Sequence, residues 1–125
     1  YDPRFYWDAD TPKALDDVNE VDDNGDPLLD ENGDQVVTLG LKSQWIKQVK
    51  TEAGFLLVPT DWYVVRKSET DAAIPADVTT YRAAVRTASN TKETQINAVT
   101  THEAFVTLIA GEPDNPSTFN DWPEE

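Results

Sequence analysis

The apolar positions of this chain change period along its length. From Leu41 they recur at Trp45, Ile46, Val49 and Ala53, the three- and four-residue spacing that lines one helix face. That spacing predicts a helix over 42–53, with Gly54 as its expected end and Phe55-Leu56-Leu57 as an extension open to it. Pro59-Thr60-Asp61-Trp62 follows as a turn, and Trp62 to Val65 fits either a helix start or a short strand. A second helix is expected over 76–88. Ile74-Pro75-Ala76-Asp77 opens it with a proline in the first turn and an acid at the positive end of the dipole. Val78, Tyr81 and Val85 mark one face of it, and Arg82 and Arg86 lie four apart on another. Ser89-Asn90-Thr91 is expected to break it, leaving a turn or two over 92–99 with Ile96 and Val99 inward. Thr100 and Glu103 form a capping-box pair before a third helix over 101–110, which carries Ala104, Phe105, Leu108 and Ile109 and stops at Gly111.

Ahead of the helices the signal is a repeat. Asn24-Gly25-Asp26 returns eight residues later as Asn32-Gly33-Asp34. Asn-Gly is the strongest short hairpin signal, because type I′ turns need positive φ at both central residues. With Val21, Leu28-Leu29 and Val36-Val37 around the turns, 18–39 reads as a small three-stranded antiparallel meander. Two-stranded ribbons are marginal in water, so the meander needs support from the rest of the chain. Tyr1, Phe5, Tyr6 and Trp7 show no clean period; four rings in seven residues either cover the chain's own core or dock on another chain. From Glu112 onward the chain holds three of its eight prolines and is expected to be irregular. The expected fold is therefore mostly α, a small helical hairpin or bundle, with a short N-terminal β meander and extended acidic arms. Its segments are an aromatic arm over 1–17, a hairpin repeat over 18–40, a helical domain over 41–111 and a Pro-rich acidic tail over 112–125.

Composition sharpens this picture. A length of 125 residues favours one domain, and an apolar fraction of 38% predicts a small core with part of the chain leaning on a partner. The net charge of −14 is unevenly spread. Residues 1–40 carry 12 acids and 2 bases, 41–100 carry 6 acids and 8 bases, and 101–125 carry 6 acids and no base. A near-neutral centre between two acidic arms argues against nucleic acid and against anionic membrane surfaces. No run approaches the ~18 apolar residues of a membrane span. The first residue is Tyr1 rather than Met, and no signal-peptide pattern follows it, so a segment or processed product is expected.

The chemistry of catalysis is sparse. Without cysteine there is neither a disulfide nor a thiolate site. The single histidine, His102, has no Gly-x-Ser-x-Gly partner, and the glycines at 25, 33, 40, 54 and 111 build no phosphate loop. Asp22, Asn24, Gly25 and Glu31 match an EF-hand loop at its third, fifth, sixth and twelfth positions, but Glu20 stands where the loop begins with Asp and Pro27 falls where it normally donates a backbone N–H. The reading is of a non-enzymatic interaction module without cofactor or metal. A carboxylate-rich calcium-binding surface is the weaker alternative.

Phe55-Leu56-Leu57-Val58-Pro59-Thr60-Asp61-Trp62, then Arg66, then Tyr81-Arg82 and Val85-Arg86, resembles the phage tail fibre assembly and tail assembly chaperone family. Proteins of that family carry a Leu-Leu-x-x-Thr-Asp-Trp phrase at a helix end and a Tyr-Arg-x-x-Leu-Arg phrase in a later helix. Many end in a tail containing Trp-Pro, as Trp122-Pro123 does here. The likeness covers about residues 41–88 and the last few. Lys50 to Gly54 lacks the family's usual Arg, and Val85 stands where Leu is usual. The resemblance implies a phage tail or tail fibre protein as partner, a place in the virion tail or the infected host cytoplasm, and either a transient chaperone or a permanent fibre, adaptor or decoration protein. A homo-oligomer within a virion is compatible with both. The partner-binding candidates are Phe5, Tyr6, Trp7, Trp45, Trp62, Arg66, Tyr81, Arg82 and Arg86. Trp62 is expected to be largely buried against Trp45 and Tyr81, with Asp61 pairing with Arg82 or Arg86.

Overall fold

The computed structural model describes all 125 residues. The chain is mostly helical, with two short antiparallel strand pairs at its N-terminal end. Strand β1 (Tyr6–Asp8) pairs with β2 (Thr11–Pro12) across an irregular register, and β3 (Val18–Asn19) pairs with β4 (Val37–Thr38). Helix α1 (Leu41–Leu57) runs into a 3-10 turn over Val58–Thr60 and then α2 (Asp61–Thr70), followed by α3 (Ala76–Ala98) and α4 (His102–Ala110). No helix is long and apolar enough to cross a membrane.

Helix packing is dominated by α1 against α3. Only thirteen residues are buried, in keeping with the low apolar fraction. The core lies toward one end, where Phe5, Leu41, Val49, Ile96, Val99, Phe105, Ile109 and Phe119 meet. Phe5, Trp45 and Phe105 form an aromatic triangle with ring centroids 6.0–6.3 Å apart. Phe5 is completely buried, so residues 1–17 are part of the fold rather than a free arm. His102 fastens that segment: its Nε2 donates to the Phe5 carbonyl at 2.8 Å and its ring meets Tyr6 edge-on at 4.8 Å.

The start of α1 depends on the same segment. Leu41 N–H donates to the Ala14 carbonyl and Lys42 N–H to the Leu15 carbonyl, which satisfies donors that a helix start leaves free. Gly40 N–H donates to Asp17 Oδ1 at 2.8 Å, and this bond holds the Asp17 carboxyl below its usual pKa, helped by Ser43. The approach is so close that a Cβ on Gly40 would lie 2.3 Å from the Leu15 carbonyl oxygen.

The Asn-Gly repeat folds differently from a type I′ meander. Gly25 and Gly33 have φ +83°, whereas neither Asn24 nor Asn32 has positive φ. Asp22 accepts from the N–H groups of Asn24 and Asp26, and Asp30 from those of Asn32 and Asp34. Each loop is thus a type I turn completed by a left-handed glycine. The three segments also close into a ring: Glu20 N–H donates to Val36 O, Val36 N–H to Leu28 O, and Leu28 N–H to Glu20 O. The Gln35 side-chain amide lies within hydrogen-bond distance of all three carbonyls. A ring lets the first and last segments pair directly, which a meander does not.

Two expected helix ends are absent. Helix α1 passes through Gly54, and α3 passes through Ser89-Asn90-Thr91 to reach Ala98. The reason in α3 is packing: Val85, Lys92 and Ile96 are buried on one continuous face, which outweighs the modest helix propensity of Ser, Asn and Thr. The third helix is capped one residue later than expected, by Thr101, whose Oγ1 accepts from Ala104 N–H at 3.1 Å.

The tail from Glu112 is irregular but packed. Ser117 Oγ donates to the Leu108 carbonyl and Asn120 Nδ2 to the Ile109 carbonyl, so the tail satisfies acceptors at the end of α4. Phe119 fills the core, and Trp122 Nε1 donates to Glu52 Oε2 at 2.8 Å. Between them sits Lys92, whose ammonium donates to the Phe119 carbonyl and lies 4.7 Å from the centroids of both the Phe119 and Trp122 rings. Burial pushes the Lys92 pKa down, with Glu52 and Asp121 opposing the shift.

Candidate docking surface

Helix α2 contains no buried residue. The backbone stays near helical from Leu41 to Thr70, distorted at Thr60, and reverses only beyond Asp71, which has φ +59°. The Pro59 turn therefore redirects the rod without ending it, and α2 carries its side chains outward. Trp62 is 52% exposed and stacks on Tyr63 at 3.8 Å, not on Trp45 or Tyr81. Its expected burial is thus corrected, because the chain reversal falls about ten residues later than a turn at 59–62 would place it.

The pairing expected beside Trp62 is present. Arg82 Nη1 lies 2.9 Å from Asp61 Oδ1 and also donates to the Leu57 carbonyl at 2.9 Å and to Thr60 Oγ1 at 2.7 Å. This side chain is only 12% exposed. It bolts α3 to the 3-10 turn, and those donors are engaged within the chain. The Thr-Asp-Trp and Tyr-Arg phrases, twenty residues apart in sequence, meet at this bolt.

The nine candidate residues divide by environment. Phe5 and Trp45 belong to the core, and Tyr6 packs on His102. Trp7 is exposed, with the Lys13 ammonium 4.6 Å from its ring. Tyr81 is half-buried and lines an open groove of about 350 Å³ with Pro59, Thr60, Trp62, Tyr63 and Val78. Arg86 is exposed and outside the ion pairs. Arg66 lies over the Trp62 and Tyr63 rings, its guanidinium carbon 5.0 and 5.4 Å from their centroids. It donates only one long bond, 3.4 Å to the Ala73 carbonyl, and its Nε is enclosed without a partner.

Sequence reasoning missed three members of this surface. Phe55 (78% exposed), Val58 (63%) and Val65 (54%) join Trp62 along the outside of the rod. Their spacing of three, four and three residues is that of a helix-docking stripe. The spacing was visible in the sequence, but an expected helix end at Gly54 conceals it. No Cβ added at Gly54 would meet anything within 4 Å, so the rod is open along this side.

The acidic repeat was the other candidate site. One Asp22 oxygen is engaged by its own turn, Glu20 Oε1 accepts from Thr38 Oγ1 at 2.6 Å, and the chain gathers no group of three potential metal ligands. No family model, curated protein or solved structure matches the chain.

Proposed function

We propose that this chain is a non-enzymatic protein–protein interaction module of a phage tail or tail fibre, similar in role to the tail assembly chaperones. The observation that carries this reading is the unpartnered stripe of Phe55, Val58, Trp62 and Val65. Contiguous apolar side chains on a small acidic chain are costly to leave in water, and such surfaces mark docking sites. An aromatic flanked by aliphatic anchors at helical spacing fits helix-in-groove recognition. Two further observations support it. The phrases that resemble the family sit together at this surface, joined through Asp61 and Arg82. The groups that catalysis would draw on hold chain segments instead, His102 the N-terminal one and Lys92 the tail.

The test is to co-express the chain with the tail and fibre proteins of the phage genome that encodes it, and to assay purified particles for the chain. Co-purification with one of those proteins, weakened by Trp62→Ala through about 2 kcal/mol or more as for a binding hot spot, supports the reading. Presence in finished particles identifies a permanent component, and absence identifies a transient chaperone. Binding that is indifferent to Trp62 would overturn the assignment of the stripe.

A further inference from the structure

The last residues of the chain lie along the flank of the stripe. Asn120 and Trp122 line a groove of about 400 Å³ with Thr51, Glu52, Phe55 and Leu56. Glu125 lines the groove that holds Trp62, Tyr63 and Tyr81. Trp122 and Glu125 are three residues apart, no more than about 11 Å of extended chain, so the two grooves adjoin with the tail between them. Pro123, on that stretch, is half-buried.

Little holds this segment in place. Phe119 and Asn120 are tied down, to Lys92 and to the end of α4. Past Asp121, whose N–H donates to the Thr118 carbonyl, no backbone group is hydrogen-bonded within the chain. The one side-chain bond there is the Trp122 indole on Glu52, and the Lys92 ammonium lies over the same ring. Glu124 and Glu125 join no ion pair, and Asp77 stands in the same groove as Glu125. Neighbouring carboxylates repel, so the end of the tail is pinned at Trp122 and pushed outward beyond it.

We propose that residues 121–125 are a displaceable strap, pinned by Trp122, that occupies the flank of the stripe in the free chain and swings out before a helix can lie along Phe55 and Trp62. This inference rests on the reading of that face as a docking surface. A helix is about 10–12 Å across, so one laid along the stripe overhangs it by roughly 5 Å on either side. Each of the two grooves it would overhang is shared between a stripe residue and a tail residue. An indole bond to a carboxylate and one cation–ring contact favour the closed strap by about ten- to hundredfold. A partner then meets only the open fraction, and its apparent affinity falls by that factor.

The experiment uses the full chain and Nile red, a neutral apolar dye that the groove carboxylates do not repel. Trp122→Ala frees the strap and is expected to raise dye affinity about tenfold or more, with Glu52→Ala between it and wild type. Adding Phe55→Glu to Trp122→Ala should abolish the gain, which separates dye in the groove from dye on a loosened core. Glu52→Ala replaces Trp122→Ala should circular dichroism find the latter unfolded. The chain has no cysteine, so Asp77→Cys with Glu125→Cys, both exposed, supplies two thiols and no others. A short cleavable bismaleimide across them locks the strap; dye binding should fall below wild type and return on cleavage. Thiols that do not link, or dye binding equal in wild type, Trp122→Ala and the locked chain, overturn the proposal. The locked chain should also capture less of a tail or fibre protein than its cleaved form, and equal or greater capture overturns the strap's opposition to docking. If dye binding follows the strap while neither form captures such a protein, the strap over the groove stands and the tail-assembly reading is what fails.

Discussion

Residues that looked alike in the sequence have opposite environments. Phe5 and Trp62 are both aromatic and both lie in segments rich in rings, yet Phe5 closes the core while half of Trp62 faces solvent. Phe5→Ala is expected to cost about 3–5 kcal/mol, as a large-to-small change in a packed core does. Trp62→Ala, which loses a stack on Tyr63 and Arg66, should cost about 1 kcal/mol or less. Urea denaturation of the two variants checks the ordering, and equal losses would contradict it. Gly40 is a sharper case. A methyl there meets the backbone of residues 15 and 16 rather than a movable side chain, so Gly40→Ala should lose about 1–3 kcal/mol, as overpacking does. Thermal unfolding of Gly40→Ala beside Gly54→Ala measures this, with Gly54 the open-space control. Nothing in local sequence marks Gly40 as special. Its constraint comes from a segment 23–25 residues earlier that packs across the helix start, a distance over which pattern reading has no reach.

At the scale of elements, the helices were legible wherever apolar residues repeat, and their ends were not. The strongly periodic stretches from Leu41, Ala76 and His102 are helices. Gly54 and Ser89-Asn90-Thr91 read as stops because local propensity disfavours helix there; in α3 the buried face of Val85, Lys92 and Ile96 carries the backbone through. The cap of α4 shows the same difficulty over a single residue. Thr100 and Thr101 are adjacent, and only the structure identifies Thr101 as the acceptor for Ala104. Thr101→Ala should cost about 1 kcal/mol while Thr100→Ala costs little, which parallel thermal melts can separate. The tail latch gives a pH prediction. Lys92 has a folded-state pKa below its ordinary 10.5, so the unfolded chain binds the extra proton in the window between the two values. Stability from this group therefore rises as pH climbs through that window toward 10.5. Replacing Lys92 by Met should flatten the rise, which denaturant titrations of the two proteins at several alkaline pH values would reveal.

The whole molecule is polarised. One end is a dense aromatic core sealed by both chain termini, through His102 on the N-terminal side and Lys92 on the C-terminal side. The other end is a thin helical rod with Ala53, Thr60 and Val85 as its only buried residues beyond the main cluster and with its apolar stripe turned outward. Charge follows the same axis, since the acidic β ring precedes the rod and most cations lie on α1, α2 and α3. The low apolar fraction foretold a small core. Which residues lean outward was not legible, because the same three- and four-residue spacing serves a buried face and a docking face alike. On the proposed function, the stripe binds rather than folds. The measurement that bears on it is the amount of Trp62→Glu chain that co-purifies with the proposed tail or fibre partner, relative to wild type, with melting temperatures matched. A loss of most of the bound chain at an unchanged melting temperature is the expected result; full co-purification, or a loss that only tracks unfolding, would contradict it.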